Sequence, residues 1–399
     1  MAVDDSVPRT VARAPRASLI YDPTFRAIVF QVLIAVALTA FVAWIADNTI
    51  TNLRRANVAS GFAFLNKRSG FDVAQSLIPY SAESTYGRAL VVGLLNTILV
   101  AVLGVIFASL IGFLLGIARL SGNWLLSRLA AVYVETFRNI PVLLQLLFWY
   151  KAVLSVLPSP RQGYWLPFGS NLSNRGLFLP RAIVAPEFLD TGIAILVSIG
   201  AVVILARWAR RRQLATGQLF PTFWTSVAIL LGLPILVFLA TGAPLAFEFP
   251  QLKGFNFVGG WNIKPEFIAL LLGLSLYTAT YIAEIVRAGI LAVAHGQTEA
   301  AYALGLRSGP ALRLVVIPQA MRVIVPPLTS QYLNLTKNSS LAVAVGYPDL
   351  VAVFAGTVLN QTGQAVEVIF LTMVVYLAIS LATSLFMNWF NRRVALVER

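Results

Sequence analysis

Gln297-Thr298-Glu299-Ala300-Ala301-Tyr302-Ala303-Leu304-Gly305-Leu306-Arg307-Ser308-Gly309-Pro310, then Val315-Val316-Ile317-Pro318, stands between two apolar runs at 267–294 and 315–336. Thr298 and Glu299 suit the start of a short helix, the acid complementing its positive N-terminal end. Gly305 suits its end, because glycine accepts the left-handed conformation that closes many helices. The stretch is expected to form a polar helix of about two turns between two apolar ones. Its alanines permit close approach by another protein, so both a partner-docking helix and a plain connector fit the residues.

The flanking runs are two of eight. A helix crossing hydrocarbon needs about 20 apolar residues, and such runs occur near 27–46, 89–118, 134–157, 191–208, 222–241, 267–294, 315–336 and 368–390. Composition agrees: of 399 residues 58% are hydrophobic and 12% charged, against roughly 25% charged in soluble domains. Mean hydropathy is +0.79. The expected fold class is an all-α polytopic membrane protein of about eight transmembrane helices. An ordinary soluble enzyme is excluded.

The net charge of +14 does not point to nucleic acid, because the arginines gather at the ends of apolar runs, where positive charge sets membrane orientation. The arm before Ala27 carries Arg9, Arg13, Arg16 and Arg26, which reads as a cytoplasmic N-terminus ahead of a retained anchor. Eight spans then return the C-terminus to the cytoplasm. With that topology the inner segments hold 15 Lys and Arg in 82 residues and the outer ones 11 in 129, as the positive-inside rule requires. Arg207, Arg210, Arg211 and Arg212 form the clearest anchor. Cysteine is absent and His295 is the single histidine, so no His/Cys metal site, haem or thiol chemistry is expected. No lysine follows a glycine, so the chain lacks a P-loop. No cofactor or metal and no catalytic residue is expected.

The loop quoted above resembles the EAA loop of binding-protein-dependent ABC transporter permeases. Glu299, Ala300, Ala301, Gly305, Val315, Ile317 and Pro318 carry the match, with Val315 and Ile317 where that family more often has Ile and Leu. Tyr133-Val134-Glu135-Thr136-Phe137-Arg138-Asn139-Ile140-Pro141, Tyr281-Ile282-Ala283-Glu284-Ile285-Val286-Arg287 and Asn338-Ser339-Ser340-Leu341 resemble its polar amino-acid branch. The longer layout is similar to the general L-amino-acid permeases of proteobacteria.

The resemblance implies a type I ABC importer core with extra helices. The chain then divides into a cytoplasmic arm (1–26), an extra first span with an outer loop (27–88), the first part of the core (89–157), an insertion with two extra spans (158–264), the rest of the core with the loop at 297–318 (265–391), and a cytoplasmic tail (392–399). The partners implied are ABC ATPase subunits, a second permease subunit, a periplasmic amino-acid-binding protein, an L-amino-acid substrate and the bacterial inner membrane. The residues implied to couple to the ATPase are Glu299, Ala300, Ala301, Gly305 and Pro318.

Polar residues within apolar runs mark the candidate substrate path, since a carboxylate at the bilayer centre costs about 2.5–3.5 kcal/mol and faces protein or a wet cavity. Glu284 and Arg287, three apart, either neutralise each other or meet the substrate. Gln331, Asn334 and Lys337 follow Pro326 and Pro327, which are expected to kink or break their helix. The amides either line a cavity or hydrogen-bond between helices. Gln145 is a further path candidate, Glu135 and Arg138 are expected to pair, and Arg322 to reach the cytoplasmic interface. The rival class is an ion-coupled secondary carrier using Glu284 as its ion site. A membrane enzyme lacks a catalytic cluster.

Overall fold

The computed structural model describes residues 23–55 and 60–394. Most of the expected arm at 1–26 and tail at 392–399 lies outside the described residues. The helices are α1 (Pro23–Arg55), α2 (Tyr86–Arg119), α3 (Trp124–Asn139), α4 (Val142–Leu147), α5 (Phe188–Thr216), α6 (Thr222–Ala240), α7 (Pro265–Leu291), α8 (His295–Ala303), α9 (Ser308–Ala311), α10 (Ile317–Asn338), α11 (Leu359–Thr362) and α12 (Ala365–Val394). Among the described residues, seven helical stretches are long and apolar enough to cross a membrane. They are α1, α2, α5, α6, α7, the composite 308–345 around α10, and α12.

The expected span at 134–157 is split. Ile140 is extended, as a residue preceding proline must tend to be, and Pro141 opens α4. α4 runs on through a π turn at Phe148–Leu154, giving a shorter apolar helix over Val142–Leu154. The Gln145 side chain seals the break, donating to the carbonyls of Phe137 (2.7 Å) and Ile140 (2.9 Å). Pro326 and Pro327, by contrast, do not interrupt α10. The irregular turns flank it instead, a π turn at Leu312–Val316 before Pro318 and a 3₁₀ stretch at Ser339–Val345. Neighbouring helices accommodate such prolines in membranes.

The segment 158–264, expected as an insertion with two extra spans, holds the α5–α6 hairpin, together with strands the sequence reading did not include. β1 (Tyr164–Leu166), β2 (Ser170–Ser173), β3 (Gly176–Leu179) and β8 (Trp261–Ile263) form one antiparallel sheet. β4 (Arg181–Val184) pairs with β5 (Leu245–Glu248), and β6 (Gln251–Lys253) with β7 (Asn256–Val258). The segments before α5 and after α6 are thus woven together, so the hairpin returns the chain to the side it left. Gly176 is needed for this weave: a Cβ there would lie 2.2 Å from the Ile263 carbonyl oxygen.

The core helix is α7, which starts beside β8 and ends beside α8. It packs against α2 through small residues, the usual means of close approach in membranes. A Cβ on Gly112 would lie 2.6 Å from Ile282 Cβ, and one on Gly116 2.8 Å from the Ala283 carbonyl oxygen. α10 returns antiparallel, with Ile324 seated on Gly289 near α8. At the sheet end, Glu367 and Gln364 clasp the backbone of Gly61, at 2.5 and 3.2 Å. That contact ties the segment following α1 to the base of α12. The apolar window of α1 itself buries no residue within this chain.

Candidate substrate path and coupling helix

α10 places Gln331, Asn334 and Asn338 at i, i+3 and i+7, which is one helical stripe. α7 faces them with Tyr277, Thr278 and Tyr281. Together these six residues line a cavity of about 280 Å³. The tyrosine hydroxyls are hydrogen-bonded to each other at 2.9 Å, with the rings edge to face at 5.1 Å. The Arg138 guanidinium stands over the Tyr281 ring, 5.3 Å from its centroid. Every lining group is an amide or a hydroxyl, so the chamber offers donors and acceptors without a fixed charge.

The other expected path residues, Glu284, Arg287, Gln145 and Lys337, do not line this chamber. Glu284 accepts from Arg287 Nε (3.1 Å) and Nη2 (2.6 Å) and also from Arg119 of α2. Arg119 reaches Glu135 of α3 at 3.7 Å. The result is an alternating chain, Arg287–Glu284–Arg119–Glu135, that joins three helices toward the α8 end. Glu135 therefore pairs with Arg119, and Arg138 stacks on an aromatic face. Gln145 is buried and spends its amide on backbone carbonyls. Lys337 lies about 100° round the helix from Asn338 and enters a separate cavity beside α12. Arg322 is half-buried within α10.

At the far end of α7 the expected helix is present but begins at His295, one turn before Thr298. His295 Nδ1 meets Glu299 at 2.9 Å, and both side chains are exposed. The helix closes as expected on Gly305, at φ +79°. The Gly305 amide donates to Tyr302 and that of Leu306 to Ala301, the paired bonds of a Schellman motif. Ala301 is buried while Glu299 and Ala300 are exposed, so one side of α8 is seated on the bundle and the other is free. Gln319 on α10 holds Gln297 at 3.1 Å, and Pro318 opens α10.

Tyr277, Thr278 and Tyr281 were not singled out from sequence for the chamber, and Asn338 was noted only as the continuation of Lys337. Their signal was available as spacing: i, i+1 and i+4 on α7, and i+4 from Asn334 on α10.

The chain thus sets a polar chamber between two long apolar helices and seats a short polar helix between them in sequence. Residues 108–396 match the family described as binding-protein-dependent transport system inner membrane component. The chain belongs to this family and is a multi-pass protein of the bacterial inner membrane. It is a permease subunit with a type I ABC core and added helices, and not itself an enzyme. It is 58% identical over 382 residues to the general L-amino acid transport system permease protein AapQ of Rhizobium johnstonii, covering 96% of this chain and 95% of that one. It is 44% identical over 416 residues to the glutamate/glutamine/aspartate/asparagine transport system permease protein BztB of Rhodobacter capsulatus, covering 96% of each. Family membership decides between the two transport classes in favour of the binding-protein-dependent one.

Proposed function

We propose that this chain forms one wall of the path by which an ATP-driven, binding-protein-dependent importer carries L-amino acids. The chamber of Gln331, Asn334, Asn338, Tyr277 and Tyr281 is the observation that carries the reading. Amides and hydroxyls answer both ends of a zwitterion, the amide oxygen accepting from an ammonium and the amide N–H donating to a carboxylate. The names of the relatives support amino acids as the substrate class, and polar and acidic ones are the expected cargo. Glu284 and Arg287, chained to Arg119 and Glu135, close the same path on its inner side.

On this reading the sheet end faces the periplasm and a binding protein, and α8 and both termini face the cytoplasm. The excess of arginine and lysine on the α8 side supports that orientation. The exposed side of α8 docks in a cleft of an ATPase subunit. Glu299 and Ala300 face that partner, Ala301 and Pro318 seat the helix on the bundle, and Gly305 turns the chain back toward α10. A second, unlike permease subunit supplies the opposite wall.

The test is uptake of a radiolabelled L-amino-acid panel by cells with and without the chain, repeated with the ATPase partner inactivated and with Asn334→Leu. Uptake is expected to need the chain and the ATPase, and to fall in the variant while the complex still assembles. Uptake that survives ATPase loss would overturn the energy source. Normal uptake in Asn334→Leu would overturn the chamber.

A further inference from the structure

The exposed stripe of α10 runs Val323, Pro326, Pro327, Ser330, Asn334, Lys337, and Lys337 is its one charged member. On one flank of that stripe lies the uncharged chamber. On the other lies a cavity of about 400 Å³ in which Lys337 stands with Ser340 and with Tyr376 and Ser380 of α12. Among the described residues Lys337 makes no salt bridge. The nearby acid, Asp349, is fully buried and already accepts from the Ala352 amide (2.8 Å) and the Tyr376 hydroxyl (3.2 Å). Ser340 donates to the Lys337 carbonyl at 2.7 Å, which leaves its oxygen lone pairs free to accept.

Lys337 stands exposed in the last turn of α10, so its ammonium is free to meet an anion that enters the path. Asn334 and Lys337 are three apart on one helix, so their Cβ atoms lie about 5–6 Å from each other. One small zwitterion can therefore touch both. Resting on the chamber reading above, we infer that Lys337 binds the α-carboxylate of the passing amino acid, while the neutral chamber beside it takes the ammonium and side chains of differing charge. The carboxylate is common to every L-amino acid, so a single fixed charge placed there does not select among side chains. A fixed charge inside the chamber would repel side chains of its own sign, and the amides and hydroxyls carry none.

The test uses the whole complex in proteoliposomes with its binding protein, and two carried amino acids that differ in side-chain charge. Lys337→Gln is expected to lower uptake of both alike, by about 10- to 100-fold, the loss of one charge-assisted hydrogen bond. Lys337→Arg is expected to restore most of it, and basal ATP hydrolysis reports that each variant complex is assembled. Loss confined to an acidic substrate, unchanged uptake of both, or an equal loss in Lys337→Arg would each overturn the inference. So would a carried panel restricted to one side-chain charge. These failures are distinct from failure of the chamber itself, which would appear as normal uptake in Asn334→Leu whatever Lys337→Gln does.

Discussion

Glu284 is the carboxylate on which two arginines from two helices converge, and Glu284→Gln separates its structural and transport roles. The side chains of Arg119, Glu284 and Arg287 are 14%, 28% and 33% exposed, so water screens the group only in part. The substitution keeps the shape, and one oxygen remains for a guanidinium. Of the three hydrogen bonds from Arg287 Nε, Arg287 Nη2 and Arg119, those to the remaining oxygen lose their charge, and those to the other are lost because an amide NH2 cannot accept. Each charge-assisted bond is worth about 1.5–3 kcal/mol against about 1 for a neutral one, so with partial screening the expected loss is about 2–4 kcal/mol. The assay is SDS-titrated unfolding of the purified complex. A double-mutant cycle with Arg119→Met isolates the interhelical share, expected as a coupling of about 1–2 kcal/mol. Arg287 remains in both arms and holds the residual charge. Unchanged stability in Glu284→Gln together with abolished uptake would refute the reasoning, because the carboxylate would then be acting on the cargo and not on the helices.

Two other substitutions probe separate links. Gly112→Val places branched carbon where a single Cβ already lies 2.6 Å from Ile282 Cβ and 2.9 Å from the Ala279 carbonyl oxygen. Overpacking of this kind costs about 1–3 kcal/mol or more, and the yield of assembled complex should fall sharply while Gly122→Val, in open space, leaves it unchanged. Glu299→Lys reverses an exposed charge on α8 whose pairing partner, His295, is also exposed. Co-purification of the ATPase should weaken with the membrane subunits still assembled, and undiminished co-purification would remove Glu299 from the docking surface.

Apolar run length carried most of the fold, since a membrane span is a composition signal that needs no partner to be read. Where that signal misled, the cause was backbone chemistry. Pro141 splits an apolar run at 134–157 because the residue before a proline is biased to extended backbone, which Ile140 adopts. Pro326 and Pro327 sit in an unbroken α10 because the surrounding helices hold them. The eight strands of the insertion were invisible because three or four residues are too few for an alternating pattern to declare itself. Gln331 and Asn334 could be read as chamber residues since amides are out of place in a span. Tyr277, Thr278 and Tyr281 are at home there, and only their spacing could have separated them from lining that faces lipid. The Arg119–Glu284 bond joins positions 165 apart, and nothing local in either helix announces the other.

The chamber and α8 share the same two elements. α8 leaves the end of α7 and returns, through α9 and a π turn, into α10, and those are the two helices whose stripes form the chamber. Near α8 the pair is pinned, because Gly289 admits Ile324 with no room for a Cβ, and α2 is locked to α7 at Gly112 and Gly116. On the proposed reading, a displacement of α8 is expected to carry α2, α7 and α10 together, because these contacts leave little room for sliding. Asn334, exposed on α10, then changes position relative to whatever wall stands opposite. On the proposed reading, ATP-driven closure of the partner favours one arrangement of the two walls over the other.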